Sequence, residues 1–572
     1  MAGLPGLFRW ATEGAAAKLP LPDPASPHLA ALAQPVLALQ SAVHGSQGDH
    51  LDGIAQGRFV LLNQPFDFGD VAAIPWRGDF QEGNNPLRRM TLAYMGYAVP
   101  LLARGRAEDL AVIHTLLSGL EDQNQWSAAG VFRDVWNPYT ASHRLINLLS
   151  GLALYRATGA VPDRESEAHI LEHARFCAAF VRTNLERDLQ YNHLLKDYVA
   201  LAAYAAGLPA LPGSFSFLPD AVCRSLRQNV LVDGGHAERC PLYHVLSLLD
   251  VDVLRASGVF SGTGADTLTD CRNRMGTALQ VMSHPDGDIT LFNDSWLGEA
   301  PPARDFAAID TVAEIVRLPE TGYVRIGRDG DAVIFDCGPC GPDDNPGHAH
   351  ADFLSVEASV GGKRLIVDSG VPTYTAGDAR DASRSALAHN GPHLKGVEPI
   401  EFWKSFRVGH RGRAVEITAP TLSGVAPLWC AGKQDGYGPV GVEARRFVGL
   451  WPGAALLICD VWIGEPRHRA GTDLLIPASW SAEDNTEDNG AMVFVQDGER
   501  VSCSVLAGRL DGVLPDRVWP RFGEEQAAHR VVVTPESYGN YRAAAIWVSW
   551  SDTAEVPDAA GLASLLGRLV GC

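Results

Sequence analysis

The chain has 572 residues, with 47 Lys plus Arg against 67 Asp plus Glu and a net charge of −20. That length exceeds one ordinary core, so two or three domains are expected. The acidic balance and the lack of any Lys/Arg-rich run argue against nucleic acid as a partner, and no run of about 18 apolar residues, the length a membrane span requires, is free of charge.

At the N-terminus, MAGLPGLFRWATEGAAAKLPLPDP is interrupted by Arg9, Glu13 and Lys18 and does not read as an export signal. A cytoplasmic location is the expectation from this, with the periplasm left open. Apolar residues then recur at three- and four-residue spacing in 27–43, 86–105, 141–159 and 165–188, and again in LKDYVALAAYAAG, AVCRSLRQNVL, PLYHVLSLLDVDVL and CRNRMGTALQVMS. Consecutive helices with short breaks predict antiparallel pairs arranged as a bundle, a solenoid or a toroid.

After about residue 318 the period changes. GYVRIGRDGDAVIFDCG, DFLSVEASVGGKRLIVDSG, RAVEITAP, VEARRFVGLWPGAALLICDVWIG, MVFVQDGERVSCSVLAG and YRAAAIWVSWSD are rich in Val, Ile and aromatics and are separated by Gly, Asp and Asn turns. Strands that follow helices as a block predict a multidomain α+β chain: a helical domain over 1–317 and an antiparallel β-sandwich over 318–572. In the second segment, Gly361-Gly362 permits a hairpin that returns toward Asp368. A two-residue loop would pair Ser355 with Asp368, whereas a three-residue loop with a bulge would align His350 with it.

Ten cysteines at scattered spacing form no disulfide framework. Cys337-Gly338-Pro339-Cys340 has dithiol spacing, but the Gly-Pro-Asp-Asn-rich residues after it cannot begin the helix that would activate a thiolate, so it reads as a turn.

The chemistry-bearing stretch is Gly347-His348-Ala349-His350-Ala351-Asp352-Phe353, two imidazoles and a carboxylate within five residues. Two such imidazoles can bind a metal, tune each other's protonation, or divide the work. His350, Asp368 and His389 together make a ligand set suited to Zn²⁺. In the helical half, Asn192-His193 and the Gly234 to His244 stretch stand at helix starts, and Arg144 and Asn147 lie one helical turn apart.

As an ordered set, Trp136-x-Pro138-Tyr139, Arg144, Asn147, Asn192-His193, Gly234-Gly235-His236-x-Glu238-Arg239-x-Pro241-x-Tyr243-His244, Gly347-His348-x-His350-x-Asp352, Val367-Asp368-x-Gly370, Arg384 and His389-Asn390 resembles the heparinase II/III family of polysaccharide lyases and its oligo-alginate lyase relatives. The resemblance spans roughly residues 75 to 400. It implies an incomplete (α/α) toroid followed by an antiparallel β-sandwich, with a uronate-containing glycan such as a glycosaminoglycan or alginate bound in the cleft.

The implied reaction is β-elimination, in which the C5 proton leaves, the C4–O bond breaks and an unsaturated uronate forms. Carried over by position, Asn192 and His193 bind the uronate carboxylate. Tyr243 protonates the leaving oxygen or, in a syn elimination, also takes the C5 proton, and His348 neutralises the carboxylate or acts as the opposite base. Arg144, Asn147, Glu238 and Arg384 form the substrate-binding set, with Glu238 orienting Arg239 or a neighbour. His350, Asp368 and His389 match the positions of a structural zinc in some members, while in others the last histidine counts with the catalytic set.

Because this N-terminus lacks an export signal, use of imported oligosaccharides or a place in an exopolysaccharide pathway fits as well as extracellular digestion. The rival readings are a glycan-binding protein without turnover and an (α/α)-toroid glycoside hydrolase. The hydrolase would need a carboxylate pair, for which Asp134, Asp197 and Glu238 are the candidates.

Overall fold

The computed structural model describes residues 4–45, 49–81, 83, 85–309, 314–421, 427–464, 467–483 and 491–572. It divides into two compact units that share the chain discontinuously: Met1–Val230, Val245–Asn273 and Gly298–Pro301 in the first, and Leu231–His244, Arg274–Leu297 and Pro302–Cys572 in the second. None of the described helices is long and apolar enough to cross a membrane.

The first unit is helical, as its periodicity predicts. At its centre, helix Pro138–Ala157 starts with a proline in its first turn and with the Asn137 side chain accepting from the Thr140 N–H at 2.7 Å. Its residues are apolar or small nearly all round, and almost all are buried, because helices Pro27–His44, Arg164–Thr183 and Tyr191–Ala206 pack against it. The helix expected over 86–105 is broken into Leu87–Tyr94 and Ala98–Leu102, since Met95 takes a left-handed φ of 55° and caps the first piece. Tyr191, Asn192 and His193, expected just ahead of a helix, form the first turn of Tyr191–Ala206.

The second unit is a stack of antiparallel sheets. A five-stranded meander runs Ile315–Leu318, Tyr323–Arg328, Asp331–Asp336, Val356–Val360 and Lys363–Ile366. A four-stranded sheet orders Arg509–Arg521, Glu524–Thr534, Ala470–Pro477 and Pro392–Leu394, and a nine-stranded sheet is built around Glu443–Trp451, Ala455–Ile463 and Tyr541–Ser549. Their facing side chains, among them Ile326, Val333, Leu456, Ile458, Leu474 and Val531, merge into one core.

Strand Asp331–Asp336 is buried along its whole length rather than alternating, because its other face is covered as well. Ala278, Val281, Met282 and Phe292 close over Ile334 and Tyr323 there, which is why the segment Arg274–Leu297 joins this unit. Helix Ala559–Gly571 does the same for the nine-stranded sheet, laying Leu562, Leu565, Leu566 and Leu569 on Leu457, Cys459 and Trp547.

Hairpin Val356–Ile366 does have the two-residue Gly361-Gly362 loop, pairing Val360 with Lys363. A bulge then shifts the register so that Ala358 pairs with Ile366, and neither alignment anticipated from the sequence applies unchanged. Cys337 and Cys340 are buried free thiols in a turn, and burial pushes the Cys340 thiol up to about 11. The glycine between them is required by packing, since a Cβ on Gly338 would stand 2.6 Å from the Thr321 carbonyl oxygen and 2.8 Å from the Gly322 Cα.

Candidate active site

The Gly234-Gly235-His236 turn leads into the helix that starts at Pro241 and carries Tyr243 in its first turn. Gly234 holds φ at 92° directly against the Arg274 carbonyl, where a Cβ would come within 2.3 Å of the oxygen. Arg239 fixes the next bend by donating from its guanidinium to the carbonyls of Thr321, Ala237 and Glu320 at 3.0–3.1 Å. Its own carbonyl accepts from the Tyr323 hydroxyl at 2.6 Å and from Asn293 at 3.1 Å.

Two parts of the second unit meet at this point. The Tyr243 ring lies 4.0 Å from the His348 imidazole, centroid to centroid. The Glu238 carboxylate stands 4.0 Å from His348 Nε2 and 3.7 Å from His236 Nδ1. Behind His348 lies Asp294, fully buried, whose Oδ2 is 3.0 Å from His348 Nδ1 and whose Oδ1 is 2.9 Å from His350 Nε2. Arg380 forks onto the same carboxylate at 2.5 and 2.8 Å, and its guanidinium also packs over the Tyr374 ring.

Burial would raise the Asp294 carboxyl, but the Arg380 charge and the bonds from both histidines hold it well below the usual range. An ionised carboxylate only accepts, so each facing imidazole nitrogen carries its proton. In its neutral form His348 then has its lone pair on Nε2, on the Glu238 side. The Tyr243 phenol is pushed well above its ordinary value, first by burial, against a hydrogen-bonding influence from Tyr374, and further by the negative charge of Asp294. It stays protonated, as a proton donor must.

Tyr243, His348 and Glu238 thus converge, and His350 joins them through Asp294. Arg384 lies inside this unit, with one terminal nitrogen unpartnered. It is fully buried, donates to the carbonyls of Ala349, Lys404 and Ser405 at 3.0–3.1 Å, and lies over the Phe402 ring at 4.1 Å. It clamps the histidine loop to its neighbour.

Arg144 in the first unit is likewise buried and donates to His173 Nε2 and the carbonyls of Ala93 and Val135, with one terminal nitrogen unpartnered. Asn147 donates to the Tyr94 carbonyl at 2.9 Å. Asn192 is 6% exposed, and the His193 ring lies 4.4 Å from Tyr139 with Nδ1 3.1 Å from Glu186. Asp294 and Arg380, the two residues that organise His348, were not singled out from the sequence. Asn293-Asp294-Ser295 is an ordinary loop tripeptide, and Arg380 lies in a short Asp/Arg/Ser helix, Asp378–Arg384.

For a metal, His350 Nδ1 and His389 Nε2 are buried nitrogens without a hydrogen-bond partner, on rings 5.3 Å apart. The third expected donor, Asp368, is engaged with His389 Nδ1 at 2.7 Å and with the Gly370 N–H at 3.2 Å. Among the described residues no group of three His, Cys, Asp or Glu is arranged to hold an ion. The donor chemistry suits zinc, and as the side chains stand the two imidazole nitrogens are free while Asp368 is held by His389 and Gly370. A cavity of about 570 Å³ elsewhere in this unit is lined by Arg239, Tyr323, Pro339, Asp343 and Arg413, and neither Tyr243 nor His348 borders it.

Residues 310–551 match the family described as heparinase II/III-like, C-terminal. A heparan sulfate lyase HepC mutant from Pedobacter heparinus shares the fold, with 17% identity and a TM-score of 0.58 over 97% of this chain and 89% of that one. The crystal structure of heparinase III is 13% identical, with a TM-score of 0.67 over 90% and 84% of the two chains. No curated protein matches. The architecture is that of a helical toroid and an antiparallel β-sandwich, the one these solved structures have. The stretch 310–551 that matches this family model carries His348, His350, Asp368, Arg380 and His389.

Proposed function

We propose that the protein is a polysaccharide lyase that cleaves a uronic-acid-containing glycan by β-elimination. The observation that carries this reading is the contact between Tyr243, a phenol held protonated, and His348, an imidazole whose Nε2 lone pair is directed away from Asp294. Elimination needs one group to accept the C5 proton and another to supply a proton to the C4 oxygen, and this pair supplies both. In the proposed reaction His348 Nε2 takes the C5 proton, the C5–H electrons form the C4–C5 double bond, and the C4–O bond breaks as Tyr243 protonates the departing oxygen. Asp294 then faces an imidazolium, which its charge stabilises, while Arg380 keeps the carboxylate from accepting the proton itself. No step is assigned to Asn192 or His193, which belong to the other compact unit.

The hydrolase reading is disfavoured by its own candidates. Asp134 is spent on Arg77 and Arg89 at 2.9 Å each, and Asp197 is fully buried against Ser142 and the Glu186 N–H. Incubation with a panel of uronate polymers, read by the ultraviolet absorbance of the conjugated double bond, tests the proposal. Reducing ends without that absorbance would mean hydrolysis, and neither signal would mean binding alone.

Zinc at His350, Asp368 and His389 is a separate proposal, supported by the two unpartnered imidazole nitrogens, and it requires Asp368 to release His389. Metal analysis should find stoichiometric zinc in the wild type and its loss in His350→Ala. A metal-free wild type would sink the zinc proposal and leave the elimination chemistry standing.

A further inference from the structure

Beside His348 the chain forms an isolated two-stranded hairpin, Ile400–Trp403 paired with Arg407–Arg411. Phe402 and Val408 on one face pack onto the sandwich core. On the other face Trp403 sits directly across from Arg407 and is 54% exposed. The turn is pinned through its main chain, with Arg384 donating to the Lys404 and Ser405 carbonyls and Arg380 to Ser405 at 3.1 Å. The Lys404 side chain is exposed, and Phe406, 42% exposed, sets its ring 5.0 Å from Tyr374 and 6.0 Å from His348.

Lys404 and Arg407 make no ion pair among the described residues. In a chain of net charge −20 this hairpin carries Lys404, Arg407 and Arg411 against Glu401 alone, and the Glu401 carboxylate already accepts from the His410 N–H at 3.2 Å.

We propose that this hairpin holds the glycan next to His348. A sugar adjoining the reacting residue lies over Phe406, and the following ring stacks on Trp403 with its carboxylate or sulfate on Arg407 and Lys404. The chemistry fits an anionic saccharide specifically, since the apolar face of a pyranose suits an indole and a guanidinium forks onto carboxylate or sulfate. This rests on the lyase reading for the location of the reacting sugar.

The test compares wild type with Trp403→Ala and with the double variant Lys404→Gln/Arg407→Gln, using heparan sulfate and alginate oligosaccharides in short and long sizes. Dissociation constants come from calorimetry, and kcat and KM from the ultraviolet assay. For long oligosaccharides Kd and KM are expected to rise about tenfold or more with kcat changed less than about twofold, the signature of lost uniform binding. Unchanged Kd in both variants, with thermal unfolding as in wild type, overturns the proposal. So does wild-type self-association through this hairpin that the double variant abolishes, since a second copy would then be its occupant. If wild type binds these oligosaccharides but yields no unsaturated product, the lyase reading falls, and the Kd comparison still decides the hairpin.

Discussion

In the proposed elimination Tyr243 and His348 divide the proton work, so their substitutions should fail differently. Tyr243→Phe keeps the ring against His348 and removes only the phenolic proton. Turnover is expected to fall by about 10²-fold or more with oligosaccharide affinity within a fewfold of wild type, and near-normal rates would show that another group is the acid. Asp294→Asn reaches further, because Arg380 loses the charge it is buried against. Removing one partner of such a pair costs about 3–5 kcal/mol, which denaturant unfolding would register, and kcat should fall in the protein that remains folded. The motif GHAHADF makes His348 legible in the sequence as a candidate for chemistry. What sequence cannot mark is the partner that orients it, since Asp294 is 54 residues away from His348 and Arg380 is 86 away from Asp294. Arg144 and Arg384, the guanidiniums expected to meet substrate, are buried and donate to carbonyls, each with one terminal nitrogen left unpartnered. An arginine reads the same in sequence whether its fork meets a ligand or a carbonyl.

The elements that sequence pattern captured are those with a long helical period, such as the helix Arg164–Thr183, or with sustained apolar runs around a turn, such as the hairpin Glu443–Trp451/Ala455–Ile463. Those it missed carry the opposite signals. Strands Arg509–Arg521 and Glu524–Thr534 are the longest in the four-stranded sheet, yet they contain two prolines and many charges and are largely exposed. The two breaks in their register fall between Leu510 and Gly512 and between Val518 and Arg521, and the second contains Pro520. Strand Asp331–Asp336 shows how covering both faces governs stability. Ile334 is buried under Phe292 and Met282, and Ile334→Ala is expected to cost about 2–5 kcal/mol in chemical unfolding. That loss would also loosen the segment that delivers Asp294, so kcat should fall with no change at a reacting group.

At the scale of the molecule, acid should unfold the protein through carboxylates that the fold holds ionised. Glu121 is one, with its two oxygens 3.0 Å from His169 Nε2 and 2.6 Å from His173 Nδ1. Burial raises its pKa, but these imidazole bonds prevail and hold it well below the ordinary value. A carboxyl depressed on folding contributes stability that is complete above its unfolded pKa, about 4.3, and is lost as pH falls through the lower folded value. Unfolding free energy measured from neutral pH downward should therefore decline below about pH 4, and less steeply in Glu121→Gln; identical slopes would remove Glu121 from the account.

The interleaving of the two compact units bears on how such a protein can be cut or recombined. Tyr243 and Asp294 come from two excursions of the chain, 231–244 and 274–297, that pack with the sheets although they precede them in sequence. A fragment limited to residues 310–551 would carry the histidines and Arg380 but neither the phenol nor the counter-charge. It would also bare the face of the meander that Phe292 and Met282 cover. Gene fusions that graft only the trailing half onto another protein should yield insoluble, inert product, and any natural exchange of halves must have carried those two loops along.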